Sequence, residues 1–160
     1  MSEDQAHLSH GLDHPERVSH LQLAVVASRF NEVLVAALVD DALQYFSDAG
    51  VKEAIEIVRV PGAHELPFAV NLLCQQDRFD AILALGVVIG GETEHHQVIA
   101  YSTSHAFQRI AVDQKTPVIN GVIVTESQDQ ARARSSGSKA RGAALAQTAL
   151  DMAVWRRGAI

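Results

Sequence analysis

Leu85-Gly86-Val87-Val88-Ile89-Gly90-Gly91-Glu92-Thr93-Glu94-His95 is an apolar run that ends in two glycines and passes straight into polar residues and a histidine. It reads as a strand that delivers a reactive loop. The glycines let backbone approach a ligand closely, and a helix starting at Glu92 or Thr93 would turn its free N–H groups toward phosphate or another anion. His95 would then lie one turn inside that helix, beside the anion. Taken alone, the same residues also fit an ordinary glycine turn with a solvated histidine.

Other segments bear on that choice. Runs at 21–27, 54–60, 81–89 and 118–124 are short, rich in Val and Ile, and separated by stretches of helical periodicity. Alternating β and α follows. Near-continuous apolar strands, instead of alternating ones, indicate a parallel sheet covered by helices on both faces. Between the first two runs, Val33, Leu34, Ala37, Leu38, Ala42, Leu43, Tyr45 and Phe46 recur at helical spacing, with Asn31 as N-cap and Gly50 as stop. Helices after the second and third strands are expected to begin near Glu65 and Thr93. The last third reads as a short helix over 127–134, a polar loop Ser135-Ser136-Gly137-Ser138, and a longer helix over 140–155.

The chain has 160 residues, enough for one domain with a real core. Hydrophobic residues make up 48%, yet no apolar run approaches the ~20 residues that span a bilayer. The opening residues carry Glu3, Asp4, Asp13 and Glu16 among histidines, which fits neither a secretory signal nor an Arg-rich transit peptide. The reading is a flexible tail over 1–20, a single domain over 21–160, and a soluble cytoplasmic protein without membrane partners. A net charge of −6 with scattered Lys and Arg argues against nucleic acid as partner, while leaving room for a small anionic substrate. The single cysteine, Cys74, lies in an apolar stretch that reads as a helix and is expected to be buried filler.

In an open parallel sheet, ligands bind at the carboxyl ends of strands. Those ends hold residues 28–31, 61–65, 90–95 and 125–127, so four unusual segments converge on one edge. Phe30 either stacks on a planar ring or packs a helix against the sheet. Glu65 follows a rigid Pro61-Gly62 turn, where it either complements a helix dipole or accepts hydrogen bonds from substrate hydroxyls. His95 can exchange protons near neutrality, as imine formation, elimination and ring closure require. His96 and His105 invite a metal reading, but adjacent histidines point apart on a helix and no second ligand pair completes a set. In Gln130-Ala131-Arg132-Ala133-Arg134, a guanidinium suits phosphate, or the arginines simply solvate a helix face.

At these positions the chain resembles a known family. Ser28-Arg29-Phe30-Asn31, Val60-Pro61-Gly62-Ala63-His64-Glu65-Leu66-Pro67, Ala84-Leu85-Gly86-Val87-Val88-Ile89 with Gly91-Glu92-Thr93-Glu94-His95, and Gly121-Val122-Ile123-Val124-Thr125-Glu126-Ser127 with Gln130-Ala131 and Arg134 are similar, in order and spacing, to the 6,7-dimethyl-8-ribityllumazine synthases. The resemblance covers roughly residues 21–152. It implies a flavodoxin-like three-layer α/β/α sandwich with a parallel four-stranded sheet. It also implies a transferase of riboflavin biosynthesis that joins 5-amino-6-(D-ribitylamino)uracil to 3,4-dihydroxy-2-butanone 4-phosphate without metal or organic cofactor.

Carried over by position, Phe30 would stack on the pyrimidine, with Val88 and Asn120 beside the heterocycle, and Ala63 and Glu65 would hold the ribityl chain. Gly91, Glu92, Thr93, Arg134 and Arg141 would take the phosphate, Arg134 coming from a neighbouring subunit. His95 would move protons. The resemblance further implies a homopentamer, or a higher assembly of pentamers, with active sites between subunits. Three departures bear on ligand binding: the family usually has arginine at Gly90, an aromatic near Asn120, and an acidic residue at Ala144. Arg141 also replaces a lysine, which keeps charge and changes geometry. These departures favour, as the alternative, a low-activity or non-enzymatic flavin- or lumazine-binding paralogue. A structural shell or carrier is a third class.

Overall fold

Residues 23–28 and 81–89 are almost wholly buried, so each strand must be covered on both faces. The computed structural model, which describes residues 15–159, shows how. In chain order it has α1 (Pro15–Val18), β1 (Leu23–Ser28), α2 (Glu32–Ala49) and β2 (Glu56–Val60), then a 3₁₀ turn (Ala63–Glu65) leading into α3 (Leu66–Cys74). β3 (Ala81–Ile89), α4 (His95–Gln114), β4 (Val118–Thr125), α5 (Gln128–Ser135) and α6 (Gly142–Ala159) follow. The strands form one parallel sheet in the order β2-β1-β3-β4. The expected four-stranded α/β architecture is therefore the observed one.

Side chains alternate across the sheet because the strand period is two. Val25, Ala27, Leu83, Leu85 and Val87 join a core with Leu38, Ala42 and Phe46 of α2 and Ala146, Ala149 and Leu150 of α6. Ala24, Val26, Ile82, Ala84 and Val88 join the opposite core with Leu66, Val70 and Leu73 of α3 and Phe107 of α4. Cys74 is buried in this second core, in keeping with its reading as filler.

The start of α2 and the expected tail depart from the sequence expectation. Asn31 stands before α2 in the left-handed conformation (φ 57°) and caps nothing with its side chain. Its Nδ2 instead donates to the Val87 carbonyl at 2.8 Å, tying the end of β1 to β3. Of the expected tail, residues 1–14 lie outside the described residues; Pro15–Val18 form a helical turn, and Val18 is buried in the first core. The stop at Gly50 is as expected: φ is 94°, and its N–H donates to the Phe46 and Ser47 carbonyls.

At the amino edge of the sheet, the carboxylate of Asp80 accepts the Gln22 N–H at 2.7 Å and the Arg157 guanidinium at 2.7 and 2.9 Å. This joins the entries to β1 and β3 to the end of α6. The start of α6 presses on α2, where the Ala143 N–H donates to Asp41 Oδ2 at 2.7 Å. A Cβ on Gly142 would lie 2.6 Å from the Leu38 carbonyl oxygen and 2.7 Å from Asp41 Oδ2.

Gly142→Ala is expected to cost about 1–3 kcal/mol, as overpacking does, read as a lower urea midpoint; an unchanged midpoint would contradict this packing. Burial pushes the Cys74 thiol up to about 11, outweighing the opposing Thr116 and Arg156 effects. Native protein should therefore resist iodoacetamide at pH values where an exposed cysteine, ordinarily ionising at ~8.5, reacts readily, and should label only on unfolding. Rapid native labelling would refute it.

Candidate functional site

The chain leaves β1 for β2 on one side and then crosses to β3 on the other. That reversal opens a crevice above the carboxyl ends of β1 and β3. A cleft of about 480 Å³ lies there.

The turns after β1 and β2 form one wall. Arg29 and Phe30 donate their backbone N–H groups to the Val60 and Pro61 carbonyls at 2.8 and 3.0 Å, so the two turns hold each other. Phe30 lines the cleft while remaining 72% exposed, which disfavours a packing role and leaves its ring face available. Ala63 is buried beside it, and Glu65 presents an exposed carboxylate to the same space. Val87, Val88 and Ile89 also line the cleft.

The opposite wall is the loop 91–94 and the first turn of α4. Gly91, Thr93 and His95 line the cleft, and nothing lies within 4 Å of a Cβ placed on Gly91. The helix begins at His95, not at Glu92 or Thr93, so His95 is its first residue instead of lying one turn inside. The cause is local. A helix extended backward would use the Thr93 carbonyl to accept the Gln97 N–H. Here the His96 Nδ1 takes that carbonyl at 3.2 Å, and the Gln97 N–H donates to the Glu94 carbonyl at 3.0 Å. The uncommitted N–H groups of the helix entry remain beside the cleft, where they suit an anion.

Phe30, Ala63, Glu65, Val88, Gly91, Thr93 and His95 are thus brought together. Glu92 is exposed in the same loop without lining the cleft. Asn120, Arg134 and Arg141 do not line it either. Asn120 sits exposed on edge strand β4, its Oδ1 accepting the Val122 N–H at 3.0 Å. Arg134 and Arg141 meet at another corner, where the Arg141 N–H donates to the Arg134 carbonyl at 3.0 Å. Arg132 is largely solvated and lies 4.0 Å from Asp129.

His64, His96 and Ile99 also line the cleft, a role the sequence did not assign to them. Only topology places His64 across from His95. His96 had a readable signal, a histidine pair at a helix entry, but read only as a metal ligand. Among the described residues, no group of three or more His, Cys, Asp or Glu could hold a metal ion.

Comparison with known proteins bears on the same residues. The family model described as 6,7-dimethyl-8-ribityllumazine synthase matches residues 20–157. A protein of that name from Pyrococcus furiosus is 41% identical over 133 residues, covering 83% of each chain. Another from Thermococcus gammatolerans is 37% identical over 133 residues, covering 83% of this chain and 86% of the relative. One from Burkholderia mallei is 39% identical over 134 residues, covering 83% and 76%.

Proposed function

The chain belongs to the 6,7-dimethyl-8-ribityllumazine synthase family, and from that membership we propose how its cleft carries the reaction. The protein is a transferase of riboflavin biosynthesis. It condenses 5-amino-6-(D-ribitylamino)uracil with 3,4-dihydroxy-2-butanone 4-phosphate. The observation that carries the site assignment is the placement of exposed Phe30 and Glu65 on one wall, facing a helix entry headed by His95 on the other.

Phe30 stacks on the pyrimidine, Val88 packs beside the ring, and Ala63 and Glu65 receive the ribityl chain, whose hydroxyls donate to the carboxylate. The phosphate lies against the backbone N–H groups of Gly91, Glu92 and Thr93 and the Thr93 hydroxyl. This pose brings the uracil amine against the ketone, converting a bimolecular encounter into an intramolecular one. His95 moves protons as the amine adds to the carbonyl, phosphate leaves and the ring closes. No nucleophilic side chain is needed.

Asn120, Arg134 and Arg141 lie outside the single chain's cleft, which supports a site completed by a neighbouring subunit. Exposed Phe68 and Leu72 on α3, and Val98, Tyr101 and Val112 on α4, supply apolar surface for such an assembly. We infer a homopentamer, working in the cytoplasm. No helix among the described residues is long and apolar enough to cross a membrane.

Lumazine formation from the two purified substrates, followed by absorbance beside an enzyme-free control, tests the reading. His95→Ala is expected to lower kcat by roughly 10- to 100-fold with little change in substrate binding, because proximity survives the loss of acid–base help. Arg134→Ala should raise KM for the phosphorylated ketone by roughly 10-fold or more, the scale of a lost charge-assisted hydrogen bond, and spare the uracil. Equal effects on both substrates would contradict these roles. Tight product binding with no turnover above the control would instead identify a binding paralogue.

A further inference from the structure

His96 is buried at 7% exposure, one residue from His95, and both of its ring nitrogens are engaged. Nδ1 meets the Thr93 carbonyl at 3.2 Å, and Nε2 meets Glu126 Oε1 at 3.2 Å. A carbonyl and a carboxylate only accept, whereas a neutral imidazole carries a single N–H. Both contacts are therefore donated together only by the imidazolium. Gly90 makes room for the arrangement: a Cβ there would lie 2.7 Å from Glu126 Oε2 and 3.4 Å from His96 Cε1.

We propose that His96, held between the Thr93 carbonyl and the Glu126 carboxylate and accommodated by Gly90, is a positioning residue that fixes the phosphate-binding loop 91–94 to the end of β4. The proposal rests on the phosphate assignment made above. Two anchors define the loop: the Gly90 N–H donates to the Thr125 carbonyl at 2.7 Å, continuing the sheet, and the His96 ring holds the Thr93 carbonyl near the helix entry. Releasing either ring contact frees one end. The charged and titratable groups on the elements packed about the ring are Glu126 from the end of β4, Glu92 and Glu94 of the exposed loop, His95 on its own helix, and His64 and Glu65, which line the same cleft. A ring with a single N–H can donate only one of the two contacts.

Glu126→Gln keeps the shape of that side chain and adds a donor. A glutamine amide can donate as well as accept, so in Glu126→Gln a neutral imidazole keeps both contacts, Nδ1 donating to Thr93 and Nε2 accepting from the amide. Loop order then no longer depends on the second ring proton.

The test measures inorganic phosphate affinity, and separately KM for each substrate, in the assembled wild type and Glu126→Gln across about pH 5.5 to 8.5, where imidazoles titrate. The ratio of the two proteins cancels the ionisation of phosphate and of His95. Wild-type phosphate affinity should fall relative to the variant with rising pH by about five-fold, the scale of one ordinary hydrogen bond, with no matching change for the uracil. Gly90→Ala should raise KM for the phosphorylated ketone more than it lowers kcat. Nitrogen chemical shifts of the His96 ring should show both nitrogens protonated in the wild type at low pH and one in the variant at neutral pH. Parallel pH profiles in the two proteins would overturn the proposal, as would a wild-type ring that is neutral throughout. Absence of turnover with a normal phosphate profile would instead reject the enzymatic reading and leave the pair standing.

Discussion

Burial of β1 and β3 on both faces is the constraint from which the rest of the molecule follows. Val25 and Ala27 are covered by α2 and α6, and Ala24 and Val26 by α3 and its neighbours, so every connection must pass over a face of the sheet and return. Parallel pairing then leaves all four strands ending on the same edge. Side chains that are not needed for either core collect there. The chemistry of the cleft is a by-product of that geometry, since no single segment holds more than a few of its residues.

The two edges of the sheet are treated differently. At the amino edge, buried Asp80 draws together Gln22 and the half-exposed Arg157 in a charge-assisted cluster that closes the entries to β1 and β3. At the carboxyl edge the turn after β1 is tied through backbone carbonyls, with Asn31 reaching Val87 and Phe30 reaching Pro61. Those bonds fix the turns while leaving Phe30, Glu65 and His95 uncovered. One end of the domain is closed and the other is held open.

Much of this was legible in the sequence because it depends on period and punctuation. The run 81–89 coincides with β3 to the residue, and the periodic apolar stretch ending at Gly50 coincides with α2. The convergence of Phe30, Glu65 and His95 followed from the strand ends alone. What escaped was set by side chains competing with the backbone for partners. At the entry to α4 the His96 ring meets the Thr93 carbonyl with one nitrogen and Glu126, thirty positions away, with the other. Propensity and spacing carry no information about such a pairing. Asn120, Arg134 and Arg141 were grouped with the cleft residues on resemblance, and a single chain does not bring them there.

Asn31 illustrates how few residues a position can accept when two demands coincide. Its backbone sits at φ 57°, and its side chain must offer a donor to the Val87 carbonyl. Glycine meets the first demand and has no donor; aspartate tolerates the conformation but offers only acceptors to a carbonyl; glutamine and lysine can donate but lack the short side chain that makes the left-handed region accessible. Asparagine joins both. Since its amide is spent on β3, what this position encodes is the architecture of the crevice, and it would keep the same identity in a descendant that had lost the reaction altogether.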